Sequence, residues 1–138
     1  MLNTFRKAAL VLALMGTGLV ASSVSAHHST AAYDYTKHLT LTGTVSKFQW
    51  TNPHMFIELV TQDGDKVAHW DIECGTPNIN VRQGWKPTDL KVGDKVTVEI
   101  SPLRTGENGG TLLWVQLSDG RTLRGPAASV VPGPAGPH

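Results

Sequence analysis

Apolar and polar side chains alternate along Leu39-Thr40-Leu41-Thr42-Gly43-Thr44-Val45-Ser46-Lys47-Phe48, a period of two that predicts a half-buried strand. Gly43 inside that run predicts a bulge or a sharp bend, and Thr51-Asn52-Pro53 breaks the pattern. His54–Thr61 is a second strand, Asp63-Gly64 suits a two-residue type I′ hairpin loop, and Lys66–Glu73 returns as the third. Thr76 as N-cap, Pro77 at the first helical position and Gly84 as a stop predict a turn or two of helix over Asn78–Gln83. Asp94–Ile100 and Thr111–Ser118 are the fourth and fifth strands, joined by the Gly-rich loop Arg104–Gly110. Five strands with a short helix between the third and fourth match the order of an OB-fold barrel. Closure also removes the sticky edges of a small sheet. The expected fold is therefore all-β, a small five-stranded OB-like barrel, with an open meander or small sandwich as the alternative.

The hairpin register extends this to side chains. With Asp63 and Gly64 as the loop, His54 lies across from Glu73, Phe56 from Asp71, and Glu58 from His69. These six share a polar face, and Met55, Ile57 and Leu59 share the core face with Ala68, Trp70 and Ile72. The polar face then holds two His–carboxylate pairs within cross-strand reach. Such pairs on a solvated face are commonly weak surface contacts, and a slip of one residue would dissolve the pattern.

The chain has 138 residues, and its start changes the picture. Arg6 and Lys7 precede an apolar stretch, Ala8–Val20, and Val24-Ser25-Ala26 supplies the small residues of a cleavage site. The stretch falls short of the ~20 residues that span a bilayer, so Met1–Ala26 reads as a secretory signal, removed on export. The product is expected in the periplasm or secreted, with no stable membrane insertion. Three zones follow: a lead-in over His27–Lys37, a folded body through residue 124, and a Pro/Gly tail, residues 125–138, whose composition predicts disorder. The lead-in and body together form the domain 27–124.

Twelve Lys and Arg stand against eleven Asp and Glu, and loss of Arg6 and Lys7 tips the balance to one net negative charge. No basic patch remains to draw nucleic acid. Cys74 is the single cysteine, which excludes an internal disulfide and reads as a small buried apolar group. No Ser-His-Asp spacing, phosphate-cradling glycine loop or nucleophilic cysteine with a base stands out, so the expectation is binding rather than turnover.

Cleavage after Ala26 frees the α-amine of His27 beside its own imidazole, with His28 next to it. The amine and imidazole can chelate one ion, and a nitrogen-rich set of this kind suits Cu(II), with Zn(II) second. The α-amine titrates near 7.7–8.0, so a metal displaces its proton at neutral pH. His54 is the expected third ligand, stiffened by Pro53, with Glu73 completing or orienting the set. The expected metal residues are thus His27, His28, His54 and Glu73, with copper before zinc. Histidines merely tolerated at a cleavage site are the plain reading, which leaves an unidentified periplasmic partner: a protein, a glycan or a small ligand. His38 and His69 read as surface histidines, with Glu58 as the partner of His69. Trp70 and Trp114, within strands, are expected in the core, and Trp50 and Trp85 flank loops where they would wall a pocket.

His27-His28-Ser29, Tyr33-Asp34, Leu41-Thr42-Gly43-Thr44-Val45, Trp50-Thr51-Asn52-Pro53-His54, Gly75-Thr76-Pro77-Asn78, Gly84-Trp85 and Leu90-Lys91-Val92-Gly93-Asp94 occur in that order. Together they resemble a family of bacterial exported proteins known only as a domain of unknown function. The likeness covers the chain after the leader except the Pro/Gly tail. It implies a periplasmic location and a small β-barrel, and no established activity. Cys74 departs from the aliphatic residue usual in relatives, which fits burial rather than ligation.

Overall fold

The computed structural model describes residues 30–129. Residues 1–29, which hold the expected leader with His27 and His28, and residues 130–138 of the expected tail lie outside the described residues.

The first strand, β1 (Leu39–Gln49), pairs antiparallel with β2 (Phe56–Asp63) through its second half and with β4 (Lys95–Pro102) through its first. β3 (Lys66–Glu73) pairs with β2, and β5 (Gly109–Gln116) with β4. Parallel pairing of Asp71–Glu73 with Gly109–Thr111 then joins β3 to β5 and closes a five-stranded barrel. One short helix, α1 (Pro77–Arg82), links β3 to β4, as the strand pattern predicts. Thr76 accepts the Ile79 N–H at its N-terminus, and Pro77 occupies the first turn.

Gly43 marks a close approach rather than the bulge itself. A Cβ there would lie 2.5 Å from the Val60 carbonyl oxygen, so the missing side chain lets β2 cross β1 where the sheet curls. The bulge follows at Ser46, between the pairs Val45–Leu59 and Lys47–Glu58. Inward-facing Val45, Ile57, Leu59, Ile72, Val98, Ile100, Leu112 and Val115 are fully buried and form the centre of the core. Cys74 is buried with them, and burial pushes its thiol far above the ordinary range.

Several expectations need correction. The hairpin loop is Gly64-Asp65, with Asp63 opposite Lys66 and Gly64 at φ 58°. Each residue therefore pairs two positions further along the partner strand than Asp63-Gly64 implies. A shift of two preserves the faces and changes the partners: Phe56 faces Glu73, Glu58 faces Asp71, and Val60 faces His69. Glu58 consequently pairs with Lys47, Nζ to Oε1 at 3.0 Å, and His69 is an exposed residue on the same face. Trp85 is the most buried tryptophan, with its Nε1–H donated to the Arg124 carbonyl at 2.8 Å. Trp50, Trp70 and Trp114 are only partly buried. Finally, the packed chain runs past Arg124. β6 (Thr122–Arg124) adds to β5, and a 3₁₀ turn over Pro126–Ser129 buries Ala127. The first residues assigned by composition to the tail are thus part of the packed body.

Candidate functional site

Glu73 ends β3 on the outer face, yet only 8 % of it is exposed. The lead-in covers it. A 3₁₀ turn over Thr30–Ala32 runs into Tyr33, which bridges to Leu103. Backbone bonds from Arg104 N to Ala32 O (2.9 Å) and from Asp34 N to Pro102 O (2.8 Å) fasten this segment along the loop after β4. The Tyr33 hydroxyl, on a residue 4 % exposed, donates to Glu73 Oε2 at 2.5 Å. Burial first, and then the bond to Glu73 and its charge, push that hydroxyl far above the ordinary tyrosine value, so it remains a donor.

The other carboxylate oxygen, Oε1, lies 3.0 Å from His54 Nδ1. His54 precedes β2 and reaches Glu73 diagonally, because Phe56 is the residue directly opposite. Its local backbone is held by Met55, which exchanges bonds with Gly75 O (2.7 Å) and Cys74 N (2.8 Å). A carboxylate only accepts, so a neutral His54 ring with its proton on Nδ1 would face Glu73 favourably and keep its lone pair on Nε2. A carboxylate beside Nδ1 is a contact that can orient an imidazole. The His54 side chain is 26 % exposed.

Both oxygens of Glu73 have a neighbour, Oε2 the Tyr33 hydroxyl and Oε1 the His54 ring. Among the described residues no three His, Cys, Asp or Glu side chains gather closely enough to hold a metal. The described residues bring His54, Glu73 and Tyr33 together, and two other expected ligands, His27 and His28, lie outside them. Beside the cluster is a cavity of about 280 Å³ lined by Tyr33, Phe56, Asp71, Glu73 and Glu107, with no Lys or Arg in its wall.

The pattern recurs where it was not expected. His38 Nδ1 lies 3.0 Å from Glu99 Oε1, and the Trp114 Nε1–H donates to Glu99 Oε2. Glu99 is buried to the same degree as Glu73. His38, exposed as expected of a surface histidine, is therefore also the partner of a buried carboxylate. The partners of Tyr33 and Trp114 are 40 and 15 residues away in sequence, so only the fold brings them together.

Among the described residues no helix is long and apolar enough to cross a membrane. No curated protein matches the chain. A solved structure of the S. cerevisiae mitochondrial single-stranded DNA-binding protein Rim1 is similar at 15 % identity and a TM-score of 0.45, covering 59 % of this chain and 94 % of that one. Residues 16–113, which include the lead-in, the barrel through β4 and the Tyr33–Glu73–His54 cluster, match a family described as a family of unknown function (DUF6152), and the chain belongs to that family.

Proposed function

We propose that this is an exported metal-binding protein, copper before zinc, in which the processed N-terminal histidine and His54 share one ion. The observation that carries the reading is the series Tyr33–Glu73–His54, a hydrogen bond from the tyrosine followed by a 3.0 Å contact of the carboxylate with His54 Nδ1. It orients an imidazole from the barrel, and its first member belongs to the segment that leads back to His27. Thr30 is three residues from His27, a stretch of at most about 11 Å of chain, so the reading requires the segment before Tyr33 to turn back towards the His54 ring. The α-amine and imidazole of His27, with the His54 ring and optionally that of His28, would give Cu(II) a nitrogen-rich set. Glu73 and Tyr33 keep the ring aimed. The role is metal handling in the periplasm or outside the cell, without turnover.

The test is a Cu(II) titration of protein beginning at His27, compared with protein carrying one extra residue before His27 and with His54→Ala. Tight binding that is lost in both altered forms supports the site. Binding unchanged by the extra residue removes the N-terminal chelate. An ion held only by the folded state must also raise the melting temperature, and a plain ligand-binding module predicts no such rise.

A further inference from the structure

A second cavity, of about 360 Å³, lies at the barrel end where β1 begins and β4 finishes. It contains none of the residues of the Tyr33–Glu73–His54 cluster, so its reading stands independently of the metal. Its volume is near the lower end of the roughly 300–1,000 Å³ of small-molecule sites, and barrel mouths are among the places where such sites occur.

Its wall and rim differ in kind. Leu39 and Trp70 line the wall, and Asp34, Lys37, Arg104 and Glu107 stand around the rim. Trp70 packs against the core and donates its Nε1–H to Thr61 Oγ1 at 3.2 Å. Its one polar group is thereby used, and what it offers the cavity is the carbon surface of the indole. The rim carries two carboxylates and two cations, so it favours neither an anionic nor a cationic ligand. Two of the rim groups are held in place. Asp34 accepts from Thr36 Oγ1 at 2.6 Å and lies 3.3 Å from Lys37 Nζ; the Thr36 bond chiefly holds its carboxyl below the usual range. Arg104 Nε donates to the Ala31 carbonyl at 3.2 Å.

Lys and Arg only donate, and ionised Asp and Glu only accept. A hydroxyl does both, and so can meet either sign in turn. A neutral ligand with many hydroxyls on its edge and one apolar face matches a rim of mixed charge around an indole wall. That is the chemistry of a sugar ring. We propose that this cavity binds neutral saccharide units, with the C–H face of the ring on Trp70 and its hydroxyls shared among Arg104, Glu107, Lys37 and Asp34.

The probes are cellotriose, maltotriose and chitotriose, added to the folded, isotopically labelled protein and followed by amide NMR shifts. At least one should shift the Trp70 indole and Arg104 resonances saturably, with a dissociation constant in the millimolar range or tighter. Trp70→Ala should abolish those shifts. Because that variant also loses core packing, the paired change Arg104→Ala/Glu107→Ala, at exposed positions, should weaken binding at least tenfold with the melting temperature held. The proposal is overturned if none of the three trisaccharides shifts these resonances at tens of millimolar. It is equally overturned if the paired variant binds as well as the parent, or if the negatively charged dAMP or the cation spermidine occupies the cavity as tightly as the best trisaccharide.

Discussion

Replacing Tyr33 by Phe removes one oxygen from a buried junction and leaves the volume of the ring unchanged. The hydroxyl is the donor to Glu73 Oε2 at 2.5 Å. Hydrogen bonds to charged groups contribute about 1.5–3 kcal/mol, and no cavity term is added because Phe fills the same space. We expect Tyr33→Phe to lose about 2 kcal/mol of stability. For a domain of this size that is a fall of roughly 8–12 °C in melting temperature. With a urea m-value of about 2 kcal/mol/M, the midpoint should move down by about 1 M with the slope unchanged. The assay is urea unfolding followed by circular dichroism, for Tyr33→Phe, Glu73→Gln and the double variant. If the two groups act together, the double variant should fall short of the summed single losses by about 1 kcal/mol or more. A loss below about 0.5 kcal/mol in Tyr33→Phe, the level of an ordinary surface change, would refute the reasoning. The lead-in would then be held by its backbone bonds alone.

Stability should also decline at alkaline pH. Burial raises the Cys74 thiol, and burial with the Glu73 bond raises the Tyr33 hydroxyl, each above its value in the unfolded chain. A raised group contributes its full stability below its unfolded pKa, near 8.5 for Cys and 10 for Tyr, and the contribution is lost as pH rises beyond that point towards the folded value. Midpoints measured from pH 7 to 11 should therefore fall above about pH 8.5, and Cys74→Val should flatten the first part of the descent. Gly43→Ala would place a Cβ 2.5 Å from the Val60 carbonyl oxygen and 3.0 Å from Leu59 Cγ, so it should cost about 1–3 kcal/mol in urea unfolding. Thr76→Ala removes the side chain that accepts the Ile79 N–H and should cost about 1 kcal/mol, read in the same way.

The strand pattern carried the barrel because alternation, turn residues and a capped helix are all local signals. The hairpin shows where locality ends. Asp63-Gly64 and Gly64-Asp65 are both good loop pairs, and the parity of the faces is the same for either, so the polar and core faces were legible while the cross-strand partners were not. His54 and Glu73 were expected to meet and do meet, by a diagonal contact rather than a directly opposed one. Glu58 and His69 were expected to meet, and the true register gives Glu58 to Lys47. Tyr33 carried no signal because nothing local says that the lead-in folds back over Glu73. Trp85, flanked by loop residues, reads as the wall of a pocket, yet it is buried in the core with Phe48 stacked on its ring at 6.4 Å between centroids. The fold also supplies the Arg124 carbonyl for its indole.

The parallel pairing of β3 with β5 is only three residues long, Asp71–Glu73 against Gly109–Thr111, and Glu73 is one of them. The zipper that converts a curled ribbon into a cylinder is thus also the mount of the acid between Tyr33 and His54. Opening those few pairs would leave Glu73 braced by β2 alone, through its pairing with Phe56. The closing seam of the cylinder and the neighbour of the His54 ring therefore share one residue, so a change at either is felt at both.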